Sequence, residues 1–289
     1  EQKQKQAEEE ALAAAAAKES DPLARASPGP LDAPRWNTTT AAVPSEGGSD
    51  GVVFVLTAAG AYVVKASSRP AEEYFATQVL RQLGVAVPAV RVISHVDVEW
   101  SDIKRAIRAA ADALSAKGDE EGARKLRLRL RGPLNRPQLL LMSYIPNATP
   151  LEGNADGFDF FSRAAAQCGE DEVPSDVGSQ LRMLGRVLAS DVLLNNSDRC
   201  VAPCWDNDGN GGNILLAKAG ESHNRCPCNP PSEDGEPGST AALQLYAIDS
   251  VGTCLRSSAG SNLQRYLERS RSFLESVCEW QGAKASSDK

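Results

Sequence analysis

The hydrophobic pattern of the chain changes near Pro146, and this change restricts the possible folds more than any other feature. Before it, short β-branched or aromatic runs at residues 52–56 and 61–66 flank a Gly-containing turn and predict antiparallel strands. After it, residues 177–194 and 262–280 carry apolar side chains at helical spacing. Strands followed by helices predict an α+β fold in two lobes.

The first half of the chain predicts a small N-lobe built on an antiparallel sheet. Residues 1–35 run from an Ala-, Glu- and Lys-rich tract into a Ser-, Pro- and Gly-rich piece, which predicts a disordered linker. Residues 36–145 predict about five strands and one packed helix, at 71–83, that begins after Pro70. Inside this lobe, residues 98–137 predict a helical insertion.

Arginine and leucine alternate at residues 127–131, within that insertion. The alternation indicates either a basic docking surface for an acidic partner or a solvated face whose leucines cover the lobe. The solvated face is the preferred interpretation, because most charge runs in folded proteins are simply solvated.

The second half of the chain, residues 146–289, predicts a C-lobe that is mainly helical. Besides the two long helices, a short helix is predicted at 158–167, and short strands are predicted at 214–217 and 242–248. Between these strands, residues 218–240 are rich in Cys, Pro, Gly and Ser and predict a disordered insertion.

Charge and cysteine content disfavour several classes of protein. The 38 acidic side chains outnumber the 31 basic ones, and the resulting net charge of −7 argues against a general nucleic-acid binder. No apolar run approaches the roughly 18–20 residues needed to cross a bilayer, so no membrane span is expected. Seven cysteines, an odd number, argue against an extracellular disulfide framework. We therefore expect a reducing compartment, by default the cytoplasm.

The chemical signal comes from five polar residues in a fixed order: Lys65, Glu73, Asp198, Asn213 and Asp249. Asn213 lies 15 residues after Asp198 in a Gly-rich turn, and Asp249 ends a strand 36 residues further on. Phosphoryl transfer needs one carboxylate to orient the attacking hydroxyl, and an amide with a second carboxylate to hold magnesium. Asp198, Asn213 and Asp249 are predicted to fill these roles in that order.

The N-terminal members of the set predict a phosphate site. Lys65 ends an apolar strand and would point either to water or to a bound anion. Glu73 lies in the first turn of the next helix, where a carboxylate either favours the helix N-terminus or pairs with such a lysine. Glu72 remains an alternative to Glu73, because one helical step rotates a side chain by about 100°. The Gly/Ser-rich loop 44–51 would offer backbone N–H groups to phosphates, namely those of Gly48, Ser49 and Gly51.

Over about residues 45–280, the chain resembles the catalytic domain of actin-fragmin kinase. The segments that carry this resemblance are 51–55, 64–65, 71–77, 196–199, 212–215 and 248–249. The Asp-Arg, Gly-Asn and Ile-Asp pairs are also similar to those of phosphoinositide kinases and other atypical kinases. The chain departs from ordinary protein kinases, since Asn196-Ser197 stand before Asp198 in place of His-Arg and Ser250 follows Asp249.

The resemblance implies a two-lobed protein-kinase-like fold that transfers the γ-phosphoryl group of ATP, with Mg²⁺, to a protein Ser or Thr. It implies actin, or an actin-capping complex, as the protein substrate. Lys65 would contact the α- and β-phosphates and Glu73 would pair with it. Asp198 would be the catalytic carboxylate, with Arg199 supporting its loop or the transferring phosphate. Asn213 and Asp249 would be the magnesium ligands.

The resemblance also implies a hinge at residues 141–145, where the backbone at Met142 and Tyr144 would meet adenine. Two alternatives to a protein kinase stay open, because the same five residues serve any hydroxyl acceptor. One is an atypical kinase of lipids or small molecules. The other is a catalytically inactive scaffold that binds nucleotide.

Overall fold

The computed structural model of the chain describes residues 21–24, 26–32, 34–45, 51–151, 175–200, 202–206, 208–218, 243–252 and 261–287. These residues form one antiparallel sheet of five strands, a second sheet of three strands, and helices. The α+β class predicted from the sequence is therefore confirmed. Within the described part of the chain, no helix is both long and apolar enough to cross a bilayer.

The chain divides into two compact units, each built from separate stretches of sequence. The first unit comprises Glu1–Tyr74, Pro88–Ala148 and Ala217–Ala242, and the second comprises Phe75–Val87, Thr149–Leu216 and Leu243–Lys289. Helix α1, Pro70–Gln82, contributes its start to the first unit and its remainder to the second.

The five-stranded sheet belongs to the first unit and has the order β1-β2-β3-β5-β4. Its strands are β1 Thr39–Pro44, β2 Val52–Thr57, β3 Gly60–Lys65, β4 Val90–Ser94 and β5 Gln138–Ser143. Strand β2 alternates half-buried and buried residues, because successive side chains of a strand point to opposite faces. A tight hairpin pairs Thr57 with Gly60 and, at its other end, Val52 with Lys65. This register brings Lys65 to the open end of the hairpin.

The predicted helical insertion forms two helices that cover one face of this sheet. They are α2, Val98–Ala116, and α3, Glu120–Arg131, and Asp119 caps α3 by accepting a hydrogen bond from the Gly122 amide at 2.8 Å. Leu126 and Leu130 of α3 are buried in the same cluster as the β2 valines. Their spacing of four places them on one helix face. The alternating run 127–131 is therefore the end of an amphipathic helix.

Residues 26–32 differ from the disordered linker expected for 1–35. Pro28 forms a bridge with Ala61 of β3, and the Gly29 amide donates to the Ala61 carbonyl at 3.0 Å. Gly29 fits there because an added Cβ would collide with the Tyr62 ring. Composition alone suggested a linker, whereas backbone pairing with β3 orders this segment.

The second unit has its own apolar core and contains most of the remaining elements: β6 Thr149–Pro150, α4 Ser175–Leu194, β7 Ile214–Lys218, β8 Leu243–Ala247 and α5 Ser261–Ser287. The last two residues of β7 are assigned to the first unit. Met183 and Val187 of α4 pack with Ile214, Leu216 and Leu245 of the small sheet. The helix predicted at 158–167 and nearly all of the insertion predicted at 218–240 lie outside the described residues.

Candidate functional site

Lys65 and Glu73 form a buried ion pair in the first unit. Lys65 Nζ donates to Glu73 Oε1, and the two side chains are only 6% and 2% exposed. Glu72, the sequence alternative, is half exposed and lies 3.6 Å from Arg69 instead. Since α1 begins at Pro70, the helical phase turns Glu73 towards β3 and Glu72 away from it. Burying two charges is costly, so stability alone is a weak reason for such a pair.

The loop expected to cover phosphates is described only at its ends, because Gly48 and Ser49 lie outside the described residues. Gly51 has φ +69°, and a Cβ on it would lie 2.6 Å from Pro133 Cβ. Both observations require glycine, the residue without a Cβ. Gly51 therefore fixes how the chain leaves this loop and enters β2.

The predicted hinge residues lie at the end of β5 and just beyond it. Met142 is buried and pairs with Val63 of β3 and Val90 of β4. The Tyr144 hydroxyl donates to the Leu23 carbonyl at 3.1 Å, and burial raises the pKa of Tyr144. The Tyr144 side chain is thus bonded inside the first unit, so an adenine contact here would use the backbone.

Asp198 and Asn213 are brought together in the second unit. Asn213 Nδ2 donates to Asp198 Oδ2 at 3.1 Å and to the Asp198 carbonyl at 3.4 Å. Asp198 is exposed, whereas Asn213 is buried in the turn Gly211–Asn213 before β7. The turn is fixed by Asn210, whose Oδ1 accepts from the Gly212 amide at 3.1 Å. A buried amide thus orients an exposed carboxylate, as a positioned general base requires.

Asp249 follows β8 in a strained backbone conformation. Its φ is +53°, in the left-handed region that residues other than glycine rarely adopt. The preceding Ile248 amide donates to the Asn213 carbonyl at 2.9 Å. This bond ties the segment bearing Asp249 to the turn that holds Asn213. Strained residues of this kind are concentrated at functional sites.

Arg199 connects the Asp198 loop to both neighbours of Asp249. Its Nη2 donates to the Ile248 carbonyl at 2.8 Å and to Ser250 Oγ at 2.6 Å, and its Nη1 donates to Asp191 Oδ1. The side chains of Arg199 and Asp191 are both 0% exposed. Of the two roles expected for Arg199, this geometry favours loop support over contact with a transferring phosphate.

Comparison with known proteins identifies the family. A family model described as actin-fragmin kinase, catalytic, matches residues 32–286. The chain belongs to this family. The actin-fragmin kinase catalytic domain is an atypical kinase domain, so the coarse activity of the chain is that of a kinase.

A curated plant protein is similar over a shorter region. Dual specificity protein phosphatase PHS1 of Arabidopsis thaliana is 31% identical over 176 residues, which cover 57% of this chain and 17% of that protein. The chain therefore spans only about a sixth of the length of this relative. The activity in the name of PHS1 does not carry over from so small a share.

The donor atoms of this actin-fragmin kinase family member fit magnesium. The Asn213 amide nitrogen is directed to Asp198, so its amide oxygen is the atom that would meet a cation. The carboxylate oxygens of Asp249 add the hard ligands that Mg²⁺ prefers. Among the described residues, no cluster of three or more His, Cys, Asp or Glu side chains could hold a metal ion. An ion at Asn213 and Asp249 would accordingly be shared with substrate phosphates or water.

Sequence reasoning missed Asp191, the buried partner of Arg199. Asn196 Nδ2 also donates to Asp191 Oδ1, at 3.0 Å. Burial raises the pKa of the Asp191 carboxyl, and Arg199 opposes this shift. A signal was available, because Asp191 lies four residues after Val187 and seven after Leu184 on the apolar face of α4. A charge in that stripe predicts a buried partner.

Proposed function

We propose that the chain is a serine/threonine protein kinase that uses ATP and Mg²⁺. The observation that supports this best is the exposed Asp198 carboxylate held by the buried Asn213 amide at 3.1 Å. In this proposal the two-lobed protein-kinase-like fold has its N-lobe at 36–145 and its C-lobe at 146–289. Family membership supports the phosphotransferase chemistry, and the geometry supports the assignment of roles.

Lys65 is proposed to bind the α- and β-phosphates of ATP. An ammonium group bound to phosphate oxygens neutralises part of their negative charge, which favours transfer of the phosphoryl group. Glu73 binds that ammonium group from within the first unit, which positions it for the phosphates. The N–H groups of Gly48, Ser49 and Gly51 are proposed to cover the phosphates, and the hinge backbone at Met142 and Tyr144 to meet adenine.

Asp198 is proposed to accept the proton of the attacking hydroxyl group. Its exposure leaves the carboxylate accessible to a protein substrate, while Asn213 fixes its direction. Asn213 and Asp249 would hold Mg²⁺, which when bound neutralises charge on the β- and γ-phosphates. Arg199 is proposed to position Asp198 and Asp249 together, through the contacts on either side of Asp249.

Actin, or an actin-capping complex, is the proposed substrate, on the strength of the family's name, and the proposed location is the cytoplasm. Phosphate-ester hydrolysis, suggested by the name of PHS1, has less support. A cysteine nucleophile needs a lowered pKa. In the part of the chain that the structure describes, burial instead raises the pKa of both cysteines, that of Cys200 to about 12 and also that of Cys204.

The test is transfer of labelled γ-phosphate from Mg-ATP to monomeric actin, a generic protein mixture and phosphoinositides. Asp198→Asn should lower transfer by about 10²–10⁴-fold, the usual contribution of a general base, while ATP binding persists. Asp208→Asn, at an exposed aspartate in the following loop, is the matched control and should transfer normally. Asp249→Asn should instead weaken binding of Mg-ATP.

Each substrate class gives a different outcome. Label on actin that disappears with Asp198→Asn would establish the protein kinase and its substrate. Label on lipid alone would establish the lipid-kinase alternative. A complete lack of label, with Mg-ATP still raising the melting temperature, would indicate a nucleotide-binding scaffold. Normal transfer by Asp198→Asn would contradict the role of Asp198.

A further inference from the structure

A cavity of about 240 Å³ opens beside the loop that carries Asp198, entirely within the second unit. Its walls come from two places in the sequence: Ser197, Trp205 and Asp206 of the loop after α4, and Arg265, Tyr266 and Arg269 of α5. None of these residues belongs to the phosphate, metal or general-base roles proposed above. The cavity therefore needs a separate explanation.

The cavity carries more positive than negative charge. Arg265 and Arg269, one helical turn apart, both reach Asp206, with Nη–Oδ distances of 3.3 and 2.7 Å. One carboxylate thus faces two guanidinium groups, in a chain whose net charge is −7. The nearby Glu268 is exposed, and its Oε1 accepts from Gln264 Nε2 at 2.8 Å. A second anion would balance the positive charge that Asp206 alone leaves on the two arginines.

The two aromatic side chains of the cavity wall, Trp205 and Tyr266, are each held by a hydrogen bond. Trp205 Nε1 donates to Asn195 Oδ1 at 3.0 Å, and the Tyr266 hydroxyl donates to the Val192 carbonyl. Both partners belong to the end of α4 or the residue that follows it. With their polar ends engaged there, the rings form a rigid frame. The arginines therefore supply the hydrogen-bond donors for an occupant, and a guanidinium group suits a carboxylate because it can bind both oxygens at once.

Size and position limit the occupant further. The volume of about 240 Å³ lies just below the roughly 300–1,000 Å³ that sites for nucleotides and other small ligands usually measure, and it accommodates a single amino-acid side chain. Ser197, on the cavity wall, is the residue before Asp198, and adjacent Cα atoms lie only about 3.8 Å apart. An occupant would therefore bind beside the segment that carries the proposed general base.

We propose that this cavity binds the carboxylate side chain of an Asp or Glu near the phosphoacceptor of the protein substrate. The inference rests on the proposed kinase function and adds a substrate preference to it. Arg265 is the main recognition residue, because its side chain is 63% exposed and makes the longer contact with Asp206. Asp206 competes with the substrate carboxylate for the same guanidinium groups.

Binding and transfer are measured separately, on the whole chain. The assay uses short labelled peptides with a central threonine. Each peptide carries a single Asp at one of the neighbouring positions, and a matched control peptide carries Asn at the same position. Fluorescence polarisation gives Kd for versions in which alanine replaces the threonine. We expect one Asp position to bind about tenfold more tightly than its Asn match, equivalent to about 1.4 kcal/mol, and kcat/KM to show the same preference.

Three variants decide between recognition and a structural role. Arg265→Gln should abolish the Asp-over-Asn ratio, whereas Arg271→Gln, an exposed arginine of α5 away from the cavity wall, should keep it. Asp206→Asn should tighten binding of the Asp peptide by about threefold, because it removes the competing carboxylate. A purely structural ion pair predicts no such gain.

The outcomes separate this proposal from the kinase function. Equal binding of Asp and Asn peptides, or an unchanged ratio in Arg265→Gln, would overturn the proposed subsite even if transfer is normal. Looser binding after Asp206→Asn would overturn the competition on which it rests. An Arg265-dependent ratio in the binding assay supports the subsite, and transfer to no peptide would then count against the kinase function alone.

Discussion

Replacing Asp191 with leucine should destabilise the second unit strongly. The Asp191 carboxylate and the Arg199 guanidinium are both 0% exposed. Removing one member of a buried ion pair leaves the other charge without its partner, which typically costs about 3–5 kcal/mol. Natural domains are stable by only about 5–15 kcal/mol. The loss would therefore be a large share of the total.

The contacts that Arg199 keeps determine where in this range the cost of Asp191→Leu should fall. Arg199 keeps its hydrogen bonds to the Ile248 carbonyl and to Ser250 Oγ after the substitution, so we take the lower limit of about 3 kcal/mol. Asn196 Nδ2, which also donates to Asp191, loses its partner inside the protein, adding about 1 kcal/mol. The expected cost is about 4 kcal/mol.

Urea denaturation measures this cost. With a slope of about 2 kcal/mol per molar, the unfolding midpoint of Asp191→Leu should fall by about 2 M. Asp112→Leu is the control, because Asp112 forms an exposed pair with Arg127 at 3.0 Å and should lose at most about 1 kcal/mol. The double variant Asp191→Leu with Arg199→Met removes both buried charges and should be more stable than either single variant.

Two results would refute this reasoning. A cost below about 1 kcal/mol for Asp191→Leu would mean that the pair behaves like a surface pair. Additive costs in the double variant would mean that Asp191 and Arg199 are not coupled. In either case Arg199 would not be anchored by Asp191, and its role in positioning Asp198 would need another basis.

Three further predictions follow from single sites. Glu73→Gln should raise KM for ATP at least about tenfold, because the ammonium group of Lys65 loses its counter-charge, whereas Glu72→Gln should leave KM unchanged; equal effects would contradict the pairing. Gly51→Ala should cost more than about 1 kcal/mol in thermal unfolding, from its positive φ and the 2.6 Å clash, and an unchanged melting temperature would argue against both. Because the pKa of Cys200 is raised to about 12, its thiolate forms first in the unfolded chain, so stability should fall as pH rises above about 8.5. Cys200→Ser should flatten this decline in urea titrations, and an equally steep decline in that variant would exclude Cys200 as its source.

Local patterns in the sequence were enough to predict most elements. Strand β2 was predicted at 52–56 and spans Val52–Thr57, and helix α4 was predicted at 177–194 and spans Ser175–Leu194. These segments bury one face against neighbours, so their periodicity records their environment. The segment 26–32 lacks such a pattern, because its backbone rather than its side chains makes the contacts with β3.

Long-range pairings were harder to predict than elements. The sequence favoured Glu73 as the partner of Lys65 but left Glu72 open, since the choice depends on where the helix begins. The cavity arginines were not singled out at all, because Arg265 lies 59 residues from its partner Asp206. Surface charges at such separations carry no local signature, and only the fold brings them together.

The buried Arg199 contacts both neighbours of the strained residue Asp249. A left-handed φ at a residue other than glycine costs of order 1–3 kcal/mol and persists only where the surroundings determine it. Arg199 supplies that constraint, because one guanidinium group binds the residue on each side of Asp249. Its own charge is balanced by Asp191 inside the unit, so it needs no solvent and no substrate to stay in place. A single buried cation thus links the segment of Asp198 to that of Asp249 before any nucleotide binds. For the roles proposed for these two carboxylates, this is the preorganisation that electrostatic catalysis requires.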